Sequence, residues 1–176
     1  MRLFHFSDDP TIKRFVPRAV DIPAQRTPGM DWLNGPLVWA IEEAWQALYL
    51  FPRDCPRILL IPTHDTTDQD RERWLPNHHG AMVAHIETAW LDRVHAAHIH
   101  RYELPVQHFE DLRDAGMWVS RREVEPLTLQ TMTNLPAALA AMKVELRALD
   151  TLSPLKQVWS STLHASGIRL RNARDW

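Results

Sequence analysis

The chain has a single cysteine, Cys55, in 176 residues. One thiol excludes an internal disulfide framework and fits a reducing cytoplasm. Glycine is scarce too: five Gly stand against 13 Pro, so neither familiar Gly-rich phosphate loop can be written, and short elements joined by stiff loops are expected. Charge of one sign is missing, with 22 Asp and Glu against 20 Lys and Arg for a formal net charge of −2. Counterion release needs a clear basic excess or stripe, so nucleic acid is not the expected partner. No apolar stretch approaches the ~20 residues of a membrane span, and the N-terminus lacks a secretory layout, so no membrane partner is expected.

What the chain does have is 45% hydrophobic residues, enough for the core of one domain over residues 1–176. Eight Trp are many for this length, and some are expected to line a concave surface or an interface. No internal repeat, low-complexity block or linker interrupts it.

In "RLFHFS", Leu3 and His5 alternate with Phe4 and Phe6, the period of a half-buried strand. "SDDPTIKRFVPR" offers an acidic cap and Pro10 at a first-turn position, which predicts one or two helical turns. The four-proline stretch up to "NGP" reads as a long ordered loop. "PLVWAI" is a strand entering a helix in "EEAWQALYLF". "RILLIP" is the clearest buried strand, a continuous apolar run from Ile58 to Ile61 bounded by prolines. "TTDQDRERWLPNHHG" is polar and exposed. "MVAHIETAWLDRVHAA" spaces Val83, Ile86, Trp90 and Val94 by three and four and reads as mostly helix, with room for strand in its first residues. "HIHRYEL", "MWVS", "EVEPLTL" and "VELRAL" read as strands. "NLPAALAAMK" is a helix capped by Asn134, "SPLKQVW" opens another helix, and "SGIRLRNARDW" is a basic tail. The fold class is therefore α+β, with a central, mostly antiparallel sheet of short strands, whole or split, flanked by helices.

The strongest local constellation is "HFS" at a strand end, followed some thirty residues on by "LVWAI". His5 can donate to a ribose hydroxyl and Ser7 to an amide or phosphate, while Trp39, Tyr49 or Trp118 can stack on a planar base. The plain alternative is a satisfied core histidine beside a capping serine. Arg53 and Arg57, four apart in "YLFPRDCPR", suit a phosphate clamp or, with Asp54, a structural ion pair; Arg18 is a further candidate for holding polar ligand atoms. Cys55 reads as a small buried residue. Ten His raise the question of a metal, with "NHHG", His85 and the trio His95, His98 and His100 as candidates. There is no His-Glu-x-x-His and no Cys pair, so surface histidines are the better reading and no metal is expected. Glu103, Glu123 and Glu125 are candidate carboxylates, any of which could orient a ribose hydroxyl or activate a nucleophile.

Read together, "LFHFSDDPTIKRFVPR", "MDWLNGPLVWAI", "YLFPRDCPR", "RYELP" and the terminal "SGIRLRNA" resemble a family of small bacterial proteins known as a domain of unknown function. More distantly, the order of a strand with His then Ser, a loop, and an aromatic strand running into a helix is similar to the ADP-ribosyltransferase-like fold. That resemblance implies NAD as the cofactor, His5 on the nicotinamide-side ribose, and an aromatic stacking on nicotinamide at Trp39 or, with a shift, Tyr49. It also implies an acid that orients the ribose. Its place falls near Met117 and Trp118, where no carboxylate stands, so Glu103, Glu123 or Glu125 would have to substitute. The expectations are an ADP-ribosyltransferase-like enzyme with His5, Glu103 and Glu125 as catalytic residues, or a non-enzymatic module that keeps a nucleotide pocket and lacks the acid. A protein or nucleic-acid contact through Arg169, Arg171 and Arg174 is a third. Oligomeric state is left open.

Overall fold

In the computed structural model, which describes residues 1–78 and 80–176, short strands dominate. They are β1 (Leu3–Ser7), β2 (Val38–Glu42), β3 (Arg57–Ile61), β4 (Met82–Glu87), β5 (Ile99–Leu104), β6 (Glu110–Asp111), β7 (Met117–Ser120), β8 (Thr128–Met132), β9 (Val144–Leu149) and β10 (His164–Ile168). The α-helices are α1 (Asp68–Trp74), α2 (Leu91–Ala96) and α3 (Leu135–Ala141), with 3-10 turns between strands. The fold is α+β and mostly antiparallel, and its strands form two sheets rather than one. The residues gather into two compact units, each built from two chain segments: Met1–Gln46 with His100–Thr131, and Ala47–Ile99 with Met132–Trp176.

The first unit carries the six-stranded sheet, in the order β6-β7-β2-β1-β5-β8. Side chains alternate between faces along a strand, and residues directly opposite across a ladder share a face. The pairs Leu3↔Glu42, His5↔Tyr102 and Ala40↔Trp118 put Leu3, His5, Ser7, Ala40, Glu42, Tyr102 and Trp118 on one face. Phe4↔Glu103 and Trp39↔Val119 put Phe4, Trp39, Glu103 and Val119 on the other. The first face closes on Phe15, Phe109 and Val124, which pack with Leu3, Val38, Tyr102 and Leu104.

Phe15 reaches this core without the helical turns that "SDDPTIKRFVPR" predicts. The Asp9 N–H donates to Ser7 Oγ (3.1 Å), and the Thr11 N–H and hydroxyl both donate to Asp9 Oδ1 (2.8 and 2.6 Å). Short polar side chains that bond their own backbone offer it an alternative to helix, and here the alternative wins. The Tyr102 hydroxyl donates to the Asp9 carbonyl at 2.7 Å and accepts from the Ile12 N–H at 3.2 Å, and Phe15 and Val124 exchange backbone hydrogen bonds.

The second unit carries the four-stranded sheet β10-β3-β4-β9, antiparallel except for the parallel pair β4 and β9. Every residue of β3 and β4 is buried. This explains the continuous apolar run of "RILLI", and it corrects the helical reading of residues 82–97: burial on both faces uses apolar residues at all spacings, so helical spacing occurs by composition alone. Only Leu91–Ala96 is α-helical there. "TTDQDRERW" in turn hides α1, started by Thr67, whose hydroxyl accepts from the Asp70 N–H. Asn134 caps α3 as the sequence suggests, accepting from the Ala137 N–H in a left-handed conformation with φ 49°. "EAWQALY" and "SPLKQVWS" are 3-10 rather than α-helical.

Candidate functional site

His5 stands where the β1–β2 ladder opens. Paired backbone runs through Leu3↔Glu42 and Phe4↔Ile41; beyond it the His5 imidazole takes over, with Nδ1 2.8 Å from the Trp39 carbonyl oxygen. A carbonyl only accepts, so the His5 Nδ1 carries a proton and donates. The ring lies 4.7 Å from Phe15 at a 51° tilt. His5 therefore supports its own sheet, as a half-buried histidine bonded to the neighbouring strand.

The expected partners of His5 do not gather round it. Trp39 offers His5 its backbone while its indole lies on the opposite face, packed with Trp32, Met30 and Leu112 against Leu33, Leu37 and Val119. Glu103 also lies on the opposite face. Arg2 donates to it through Nε (3.1 Å) and Nη2 (2.8 Å), and that guanidinium holds the carboxyl below its usual range. Glu125 is exposed and accepts from Arg14, which also holds Glu123. His5, Glu103 and Glu125 are thus not brought together: cross-strand alternation separates the first two, and an exposed loop carries the third. Ser7 is spent on the Asp9 turn, and Arg18 is exposed beside its backbone bridge to Leu37.

Tyr49 and Arg53 belong to the second unit. Arg53 is exposed, while Arg57 is fully buried, its Nε donating to the Leu48 carbonyl (2.8 Å) and Nη1 to the Cys55 carbonyl (2.9 Å). Its guanidinium lies 5.9 Å from the Tyr49 ring and 5.0 Å from the Phe51 ring, and burial pushes its pKa down to about 10. Arg57 staples a loop; it is not one arm of a clamp with Arg53. Cys55 is buried as expected, and burial pushes its thiol up to about 12.

Among the described residues no three His, Cys, Asp or Glu stand close enough to hold a metal ion. His100 Nδ1 lies 3.0 Å from the Thr131 hydroxyl. In "NHHG", His79 lies outside the described residues, and buried His78 places Nδ1 2.8 Å from Glu145 Oε2. His85 is buried beside Arg147, and burial pushes its imidazole down to about 4.

The feature of the first unit that the sequence reading missed is polar and unsatisfied. Trp39 Nε1 and Arg26 Nε are both buried without a hydrogen-bond partner among the described residues. The Arg26 guanidinium lies 5.8 Å from the Trp39 ring, and Arg121 lies 4.4 Å over the neighbouring Trp32 ring. Both missing acceptors belong to the Trp39 face of the sheet. Nothing in the spacing of Arg26 within the proline loop announces this pairing. The other missed residue is Glu42. It shares the His5 face and accepts from Trp118 Nε1 at 2.8 Å.

Residues 4–173 match a family described as a family of unknown function, DUF6886. The chain belongs to that family. No curated protein and no solved structure matches it. For this DUF6886 chain the match takes in both units, so any activity has to be argued from its own side chains. No helix among the described residues is long and apolar enough to cross a membrane.

Proposed function

We propose that the first unit binds a nucleotide of the NAD or ADP-ribose class on its Trp39 face, as a non-enzymatic module. The observation that carries this is the pair of buried, unpaired donors, Arg26 Nε and Trp39 Nε1. Burying a donor without an acceptor costs on the order of 1–3 kcal/mol, a penalty removed when a ligand oxygen arrives. A phosphate or ribose oxygen supplies the acceptor, and the Trp32 and Trp39 rings with their arginines suit a flat base and an anion. The carboxylates named for catalysis are held by arginines, which favours binding over transfer. A reducing cytoplasm is the setting this reading assumes.

Calorimetric titration with ADP-ribose and NAD tests it. Trp39→Phe keeps the ring and removes the N–H; one hydrogen bond of about 1 kcal/mol makes that a five- to tenfold loss of affinity. Arg26→Ala loses more, and His5→Ala binds as wild type. No binding by wild type, or equal binding by Trp39→Phe, sinks the proposal.

Glu42 supports a second reading, an ADP-ribosyltransferase-like enzyme acting on NAD, because it is a carboxylate on the His5 face. In that reading the bond between ribose and nicotinamide breaks, nicotinamide leaves, and an acceptor hydroxyl or water adds to the ribose while giving up its proton. Nicotinamide release by wild type, abolished in Glu42→Gln, would move the assignment from module to enzyme.

A further inference from the structure

We propose that β8 is a dimerisation edge, pairing antiparallel with β8 of a second copy of this chain about a two-fold axis. It is the last strand of its sheet, with β5 as its one strand neighbour among the described residues, so no strand pairs with its outer backbone groups there. Every side chain from Leu127 to Thr131 is exposed, including Leu127 at 62% and Leu129 at 45%.

Native edges are commonly blunted by charge, proline, a bulge or extreme shortness. The other end of this sheet follows that rule, since β6 is only Glu110–Asp111, two acids that would repel their own copies. In the second unit, edge strand β9 carries Glu145 and Arg147. β8 uses none of these devices. From Leu127 to Asn134 the sequence reads "LTLQTMTN", with no charge and no proline, in a chain that is 24% charged.

That absence of charge is what selects a second copy as the occupant. In an isologous antiparallel pair each strand meets itself, so a charge near the two-fold axis lies close to its own copy. A strand free of charge pays no such penalty.

The two faces of β8 differ in how they would contribute. The Thr128 hydroxyl reaches Glu103, and Gln130 accepts from Arg101, so these two side chains are anchored within their own sheet. Leu129 and Thr131 alternate with them on the opposite face, where Thr131 lies beside His100. Pairing centred on Gln130 sets Leu129 against Thr131 of the second copy, covering the exposed leucine and continuing one sheet across both copies.

Sedimentation velocity of the full chain over a concentration series tests the proposal. Wild type is expected to shift reversibly to twice the chain mass in the micromolar range. Leu129→Lys, at an exposed position that leaves the fold intact by circular dichroism, weakens association at least about tenfold through repulsion between the two lysines, diagonal neighbours across the two-fold axis. Leu129→Glu does the same, and mixing the two restores the dimer. Three results would overturn it: a monomeric wild type at hundreds of micromolar, which would leave the edge bare or for a foreign strand; growth beyond a dimer; or a dimer indifferent to both substitutions.

Discussion

The two sheets are held together in different ways. In the second unit the backbone pairs without interruption, from Arg57↔Ile86 to Leu60↔Val83 and from Met82↔Val144 to Glu87↔Leu149, and apolar side chains cover both faces of β3 and β4. In the first unit the β1–β2 ladder stops after Phe4↔Ile41, and a histidine side chain takes the next carbonyl. The orphans differ as well. Among the described residues the first unit buries two donors without partners, Arg26 Nε and Trp39 Nε1, and the second buries two imidazole nitrogens without partners, His78 Nε2 and His85 Nδ1. The sheet closed by its own backbone thus leaves ring nitrogens of histidine over, and the sheet closed partly by a side chain leaves fixed N–H donors over.

The largest test of this contrast is Leu60→Ala. Leu60 is fully buried with Ile58, Leu75 and Val83, so the cavity costs about 2–5 kcal/mol in chemical denaturation, with one cooperative loss of the second unit. A loss below about 1 kcal/mol would show the core to be looser than its burial states.

Next comes pH. The imidazole of His85 sits at about 4 in the folded chain, against 6.5 unfolded. Between these values the unfolded chain binds a proton that the folded one refuses, so its contribution is intact above pH 6.5 and is lost as pH falls toward 4. The full shift corresponds to about 3 kcal/mol. Denaturation midpoints measured from pH 7.5 to 4.5 should fall, and His85→Gln should flatten that slope. Parallel slopes in both proteins would remove His85 as the cause.

A smaller effect is expected at His5. His5→Ala forfeits one hydrogen bond and the Phe15 contact, about 1 kcal/mol, and frees the Trp39 carbonyl to exchange with water. Unchanged stability would mean that the ladder closes by itself. Smallest is Arg14→Ala: its ion pairs to Glu123 and Glu125 are solvent-exposed, and no measurable change in Tm is expected, at low salt or high.

These differences also mark where the sequence was legible. β1, β2, β3, β5 and β7 lie where alternation or an apolar run put them, because a strand's burial pattern is written in its own residues. β4 misled because Val83, Ile86, Trp90 and Val94 happen to fit a helix, and only neighbours on both sides decide that the segment is extended. The turns after Ser7 misled because Pro10 and an acidic cap suit a helix start as well as an Asp-stabilised turn. The candidate site was half visible. His5 and Trp39 were singled out from "HFS" and "LVWAI", but the ladder register that turns their side chains apart is a property of pairing and appears in neither strand alone. Arg26 had no local signal at all, since a proline loop places its side chains through the whole path of the chain.

Both units are assembled from separated stretches of chain, and this gives the molecule a timetable. Ser7 pairs with His100, so β1 leaves the ribosome roughly ninety residues before its partner β5. At about 5–20 residues per second the first strand waits on the order of ten seconds, with Phe4 and Phe6 uncovered. Over that interval β1 has only β2 beside it, and its β5 edge is a natural site for a holding chaperone. A ribosome stalled between β2 and β5 would carry a first strand with β2 on one side and its other edge bare.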